Sequence, residues 1–566
     1  MACARYIDSD SSESDSEDDF GSEYRLDVSE SDCSDFDTSE TESDSDSESL
    51  SDARQWCELN RDTPNPAPPE FIFQGHPGLN FFPDSDDILQ FFEYFFDDET
   101  LQIICNETNR YASQYLKKNE LKKESRAQKW YPTTKNEIMI LLVVFTLQGI
   151  AKKPEEDLYW CKKEIFHTPI FGKLLSKRRY KLLVQFLHFA DNEVYDPKSH
   201  PNPKLCKIWP LFERLNGKFM NAYSLNKNVS IDESLMLYKG RLGWVQYMPL
   251  KRARFGIKFY MLCESESGYM WSCIIYTGKG TILNEQFKNL PVSSQVVMTL
   301  LYPLLNKGHC VTTDNFYTSP ELAELLISYK TDIYGTVRLN RKGMPIDLKK
   351  RKLKKGEIAA FQKGKIMVLK WKDKKDVALL STVHNTEMVA VTRRKESKMK
   401  PKVVVDYNGT MGGVDRVDQR LSSYNVTKRR GKKYYKKIFL HLLDITLWNS
   451  YVLYTKSGGK RSHLQYRTKI IENIIEKYHS VEFSAKKGRP SADHPPSRLS
   501  ERHFVDYIPP TEKKSNPTRQ CIICCSKRDS RGKKVRRETR FYCPDCDVGL
   551  CAVPCFRMYH TRSNFD

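Results

Sequence analysis

No apolar run in this 566-residue chain is long enough to cross a bilayer. The most apolar stretch, Ile138 to Leu147, falls well short of the roughly 18 residues a spanning helix needs, which predicts a buried helix and no membrane partner. The N-terminus lacks the basic, apolar and small-residue segments of a secretory leader, so the expectation is of a protein that is not secreted. Nine cysteines are scattered over residues 3 to 310 without pairing rhythm, which excludes a disulfide framework and predicts reduced thiols in a reducing compartment. No internal repeat is visible, which excludes a repeat architecture.

Positive charge is scarce at the start and abundant elsewhere. Residues 1–52 hold 19 Asp or Glu against Arg5 and Arg25, a net of −17, with Ser filling most of the remainder. Such a segment cannot bury enough apolar surface to offset its ordering entropy, which predicts a disordered acidic tail. Its Ser43-Asp-Ser-Asp-Ser-Glu would suit an acidophilic kinase. The rest of the chain carries 89 basic and 53 acidic residues, or +36, spread over many segments. That distribution favours a nucleic-acid polyanion over one membrane-facing patch, with a merely soluble basic protein as the bland alternative.

From Asp86 to about Leu225 apolar residues recur at spacings of three and four, as at Ile88, Phe91, Phe92 and Phe95, with Ser85 placed as a cap. Helices are predicted over 137–150, 178–189 and 210–222, burying their apolar faces in a bundle. Lys177 to Lys181 reads as a solvated basic face or a phosphate contact. The pattern turns to strands near residue 228: 229–231, then 257–263 and 269–276 around the turn signal Glu264 to Gly268, then 309–313, a helix over 320–328 and a strand over 332–338. Strand, hairpin, strand, helix, strand is the order of an RNase H-like half-sheet. A basic β-rich insertion follows, with strands at 366–369 and 377–382, before helices return at 415–423 and 434–454.

Three aspartates punctuate this region: Asp232 in Val229-Ser-Ile-Asp-Glu-Ser, Asp314 in Val311-Thr-Thr-Asp-Asn-Phe and Asp415 in Gly412-Gly-Val-Asp-Arg-Val-Asp-Gln. Two follow short β-branched runs, as carboxylates at strand ends do, and the third opens a helix. A two-metal site for cutting a phosphodiester needs such ligands: hard Mg²⁺ or Mn²⁺ prefers carboxylates, and two ions about 3.5 to 4 Å apart activate the nucleophile and stabilise the leaving oxygen. Asp232 would bridge the ions, with Asp314 and Asp415 each completing one side. Asp418 shares a helix face with Asp415 and is a supporting partner or a fourth ligand. Gly412-Gly413 is read as a tight turn before the helix.

Seven cysteines crowd into residues 521–555. Cys521, Cys524, Cys543, Cys546, Cys551, Cys555 and His560 have the spacing of two cross-brace-like Zn²⁺ sites. Two closed tetrahedral sites need eight ligands, so Cys525 or an unidentified residue completes the set, or one site is open. Basic clusters supply candidate phosphate contacts: Lys428, Arg429, Arg430, Lys432 and Lys433 after the third aspartate, and Lys349 to Lys355 in the insertion. Tyr434 and Tyr435 read as core residues or as base-stacking platforms, and Lys486-Lys-Gly-Arg-Pro490 as a weak minor-groove hook or nuclear import signal.

Asn228-Val-Ser-Ile-Asp-Glu-Ser, Lys239-Gly-Arg, Tyr247-Met-Pro, Phe255-Gly-Ile-Lys, Thr312-Thr-Asp-Asn-Phe-Tyr-Thr-Ser, Gly335-Thr-Val-Arg, Val405-Asp-Tyr-Asn, Met411-Gly-Gly-Val-Asp and Asn449-Ser-Tyr resemble the signature segments of piggyBac-type transposases, over about residues 70 to 560. The chain is most similar to the vertebrate piggyBac-derived branch. The resemblance implies a nuclear, dimeric, Mg²⁺-dependent DDD enzyme that binds terminal inverted repeats of double-stranded DNA, nicks them, forms hairpins and joins the element at TTAA targets. The triad would be Asp232, Asp314 and Asp415 with Asp418 beside it. The rival reading is a domesticated DNA- or chromatin-binding protein whose catalysis is dispensable. The expected layout is a disordered acidic tail (1–68), a helical DNA-binding and dimerisation domain (69–225, with part of 424–480), an RNase H-like α/β catalytic domain (226–339 and 407–460, the second part with its helices) interrupted by the β-rich insertion (340–406), a basic linker (461–517) and a cysteine-rich zinc domain (518–566).

Overall fold

Strand β1, Asn228–Leu237, organises the central sheet. The sequence expectation ended at Ile231, because Asp232-Glu233-Ser234 has little strand propensity. The ladder to β2, Phe255–Glu264, nevertheless runs unbroken from Val229↔Glu264 to Leu237↔Gly256, so pairing carries the strand past its acidic residues. β3 (Met270–Ile275) continues antiparallel on β2, after a turn at which Gly268 has φ +70°. On the other side of β1, β4 (Cys310–Thr313) and then β5 (Asp332–Thr336) are parallel to it, with the helix Pro320–Ser328 between them. The predicted order of strand, hairpin, strand, helix, strand is present, and in space it reads β3-β2-β1-β4-β5.

The basic stretch after β5 adds to the same sheet. β6 (Ile358–Lys363), β7 (Ile366–Lys372) and β8 (Asp376–Ser381) form an antiparallel meander whose last strand pairs with β5; Cys57–Glu58 pairs with the far edge and Gln246–Tyr247 with β2, giving ten strands. Met388–Arg393 and Glu396–Pro401 form a separate hairpin. Met367, Leu369 and Leu379 from the meander bury against Val403, Val404 and Tyr407 of the helix Lys402–Thr410.

The helical region is built on α1 (Lys135–Ile150), whose Ile138 to Phe145 are all buried; an apolar surface all round requires neighbours all round. Arg179, predicted to be solvated or on a phosphate, is instead buried and donates to both carboxylate oxygens of Glu137 on α1, at 2.7 and 2.5 Å. Desolvation makes so buried a guanidinium stable only with this bidentate partner. Helix α2, Gly413–Ser423, lies on β1, and α3, Tyr434–Lys456, is tied to the hairpin. There the Asn449 amide donates to Met270 O (2.8 Å) and accepts from Met270 N (3.0 Å), while Trp448 Nε1 donates to Gly268 O (2.8 Å).

The chain divides into two compact units, residues 1–154 with 177–479, and residues 155–176 with 480–566. In the second unit, Asp506–Tyr507, Phe541–Cys543 and Val548–Gly549 form a three-stranded sheet, and Arg519–Gln520 pairs with Glu538–Thr539. Its small core is Cys521, Ile523, Cys543, Leu550 and Cys555.

The computed structural model describes residues 56–60, 66–84, 87–121, 124–194, 196, 198–249, 251, 253–393, 396–426, 431, 433–479, 502–511, 514–530 and 532–562. The acidic segment 1–55, Ser85, Lys428, Arg429, Arg430, Lys432 and the cluster 486–490 lie outside them. Among the described residues, no helix is long and apolar enough to cross a membrane.

Candidate metal centres

Parallel pairing of β1 with β4 matches Ile231 to Thr313, so the next residue on each chain, Asp232 and Asp314, emerges side by side. Side chains alternate along β1, and Ser230, Asp232 and Ser234 share one face. Glu233 belongs to the opposite face, but β4 stops at Thr313, and the Glu233 carboxylate comes within 4.8 Å of those of Asp232 and Asp314.

Helix α2 covers the Ser230, Asp232 and Ser234 face. A Cβ on Gly413 would collide with Ser230 Oγ, so the absence of a side chain there lets the helix start rest on the strand. The chain turns at Met411-Gly412, between the helix Lys402–Thr410 and α2, as expected; Gly412 has φ −68°, which any residue adopts, so it is the contact at Gly413 that requires glycine. Four residues on from this contact, Ser234 Oγ donates to Asp418 Oδ1 at 2.5 Å. Asp415, one turn earlier, lies outside the 4.8 Å carboxylate set; Lys251 Nζ is 3.9 Å from its Oδ1 and donates to Glu233 O at 2.9 Å.

Crowding dominates the electrostatics. Burial, reinforced by Glu233 and Asp314, pushes Asp232 well above the carboxylate range, and burial with the charge of Glu233 pushes Asp314 up to about 7. Asp415 is raised to about 6 by burial and then by Asp418, and Asp418 is raised by burial against the opposing pull of Ser234 and Lys251. Glu233 goes the other way: burial disfavours its charge, but Lys258, 3.1 Å away, holds it low. Carboxylates that hold protons this strongly lack positive charge, and a divalent cation among oxygen-only donors would supply it. Arginines brace the turn that follows: Arg338 Nε donates to Asn315 Oδ1 (3.3 Å), and Arg341 donates to the carbonyls of Asn315 and Phe316.

In the second unit the ligands sort into two tetrads, Cys521, Cys524, Cys551 and Cys555, and His503, Cys543, Cys546 and His560, with the atoms of each set within 4.8 Å. The sets interleave along the chain. His503 supplies the eighth ligand that sequence reasoning left open, and Cys525 belongs to neither set. Four soft or borderline donors per group fit Zn²⁺ in closed sites.

Sequence reasoning missed Glu233, Lys251 and His503. Glu233 adjoins an expected ligand, but strand alternation gives no signal for it; His503 stands alone, 18 residues before Cys521, without a spacing signal. Of Lys428, Arg429, Arg430, Lys432 and Lys433 only Lys433 is described, and it is exposed; Tyr435 is buried in the core.

Comparisons with known proteins agree with this architecture. The family model for Transposase IS4 matches residues 87–451, and a DDE_Tnp_1-like zinc finger model matches residues 499–561. The human PiggyBac transposable element-derived protein 3 is 27% identical over 503 residues, covering 86% of this chain and 78% of that protein. The human PiggyBac transposable element-derived protein 2 is 28% identical over 378 residues, covering 64% and 60%. The cryo-EM structure of a piggyBac transposase synaptic complex with hairpin DNA superimposes with a TM-score of 0.62 at 23% identity, over 85% of this chain and 100% of that one, a likeness of fold. With the aspartate-bearing sheet, the apposed helix and the paired Cys/His tetrads, these matches establish that the chain belongs to the piggyBac-type transposase family.

Proposed function

We propose that the chain is a DDD DNA transposase that performs cut-and-paste transposition: it binds terminal inverted repeats, nicks them to free a 3′ hydroxyl, forms a hairpin and joins the element at TTAA. The observation that carries this reading is the meeting of Asp232, midway along β1, with Asp314, just past the end of β4, beneath a helix that carries Asp415 and bonds Ser234 of β1 through Asp418. Two Mg²⁺ or Mn²⁺ ions, when bound, supply an activated oxygen nucleophile and stabilise the leaving oxygen. The donor set, oxygen only and short of positive charge, suits these hard cations.

In this reading Asp232, Asp314 and Asp415 would hold the ions, and Asp418 fixes the helix through Ser234. Arg338 and Arg341 hold the 314–316 turn that aims Asp314. Lys428, Arg429, Arg430, Lys432 and Lys433 grip phosphates near the cut, contacts without sequence information. The helical region and the zinc segment divide DNA binding between them, the latter taking two Zn²⁺ and the terminal repeats. A homodimer holds both element ends, and the site of action is the nucleus. The body's charge of +36 and a structural neighbour captured with hairpin DNA support a double-stranded DNA substrate.

The test is a plasmid excision and integration assay with the element's own ends. Alanine at Asp232, Asp314 or Asp415 is expected to abolish excision, and excision that survives any of them overturns the assignment. The names of the human relatives, transposable element-derived proteins, favour a second reading in which DNA binding persists and excision is dispensable. Repeat-specific DNA binding without excision product by the unchanged chain would select it.

A further inference from the structure

The turn between Met248 and Arg254 lays the Lys251 ammonium over the carboxylate cluster. Met248 N donates to Arg254 O (2.7 Å), Lys251 N to Met248 O (3.1 Å) and Arg254 N to Lys251 O (3.0 Å), while Arg254 takes the left-handed φ of +45°. A non-glycine residue held there costs free energy, so the surrounding bonds impose the turn shape. Its tip carries Lys251, and the ammonium reaches over β1 to Glu233 O at 2.9 Å, with Asp415 Oδ1 3.9 Å away. Glu233 already has its own cation, Lys258, at 3.1 Å. The charge of Lys251 is shared among Asp232, Asp418, Glu233 and Asp314, with Asp415 Oδ1 beside it.

With Glu233 offset by Lys258, the four aspartates, ionised as metal binding requires, and the Lys251 ammonium sum to −3. One divalent cation brings this to −1, and a second brings it to +1 while the ammonium stays. We infer that Lys251 is a built-in counter-ion of the aspartate cluster that competes with divalent cations in the DNA-free protein and yields a surplus positive charge for a phosphate once two ions are loaded. Repulsion between an ammonium and a divalent ion a few ångströms apart is large even in a well-screened site. This inference rests on the metal-site reading of the aspartates.

The experiment is titration of Mn²⁺ into the full-length, zinc-loaded chain without DNA, followed by isothermal calorimetry and Mn²⁺ electron paramagnetic resonance. K251M is expected to bind Mn²⁺ at least tenfold tighter than the unchanged chain, and K251R, which keeps the charge, to stay within about threefold of it. K251Q repeats the measurement with a polar side chain in case the apolar replacement does not fold. Equal or weaker Mn²⁺ binding in the neutral variants overturns the inference while leaving the metal site standing. Mn²⁺ binding that D232N fails to reduce removes the metal-site reading, and the inference with it.

Discussion

Gly413 and Ser230 touch so closely that no side chain fits at the glycine: a Cβ there would meet Ser230 Oγ, with Glu264 O at 3.1 Å and Cys263 Cβ at 3.3 Å next to it. This contact sets the height of α2, and thus of Asp415 and Asp418, above β1. Overpacking at such a position costs about 1 to 3 kcal/mol. Urea unfolding of Gly413→Ala should show that loss, and excision should fall at least tenfold. Removing the hydroxyl as well, in S230A/G413A, should recover most of both. An undiminished loss in the double variant would place the strain elsewhere.

The crowded carboxylates predict opposite effects of one substitution. Asp314→Asn removes a carboxylate that burial and Glu233 burden, so the metal-free protein should keep or gain stability, by about 1 kcal/mol. The same variant should lose most of the thermal stabilisation that Mn²⁺ gives the unchanged chain. Calorimetric scans with and without Mn²⁺ decide the matter, and a variant that is destabilised without metal but still stabilised by it contradicts the assignment.

For the zinc segment the grouping into two tetrads makes a count. His503→Ala should reduce bound zinc from about two per chain to about one, measured by mass spectrometry of the purified protein, whereas Cys525→Ala should leave it unchanged. Loss of zinc in the Cys525 variant would show that the set had been drawn wrongly.

Asp97 gives an acid-range prediction. Burial disfavours its charge, but hydrogen bonds from Lys218 and Thr100 lower it to about 2, and Arg214 Nη2 lies 2.9 Å from its Oδ2. A folded value below the unfolded one means that the stabilisation is fully present above about pH 4 and is lost as pH falls through about 2. Asp97 is one-third exposed, and the shift discounted for screening is worth about 1 kcal/mol. Asp97→Asn should therefore lower stability by that amount at pH 7 and by progressively less toward pH 2, as read from urea midpoints across pH.

The local signals of the sequence were strong where chemistry is local. β-branched runs ending in Asp232 and Asp314, a turn signal ending at Gly268, and Cys pairs two residues apart each need only a few neighbouring residues to declare themselves. The signals failed where a partner far along the chain decides the outcome. β1 outran its expected end because β2 pairs with it through nine residues. Arg179 left its exposed helix face for Glu137, 42 residues away. Glu233 joined the acidic group because β4 stops one residue short of Asp314.

Ligand chemistry, the sign of the charge on the body and the sequence of strands and helices were determined by composition and periodicity alone, since these depend on residue type and short spacing. The tertiary structure decided which carboxylates share a space, that Gly413 must have no side chain against Ser230, that His503 completes a tetrad and that Lys251 lies over the aspartates. Each of these depends on distances between atoms far apart in the chain, which strand register and helix packing set and no local pattern encodes.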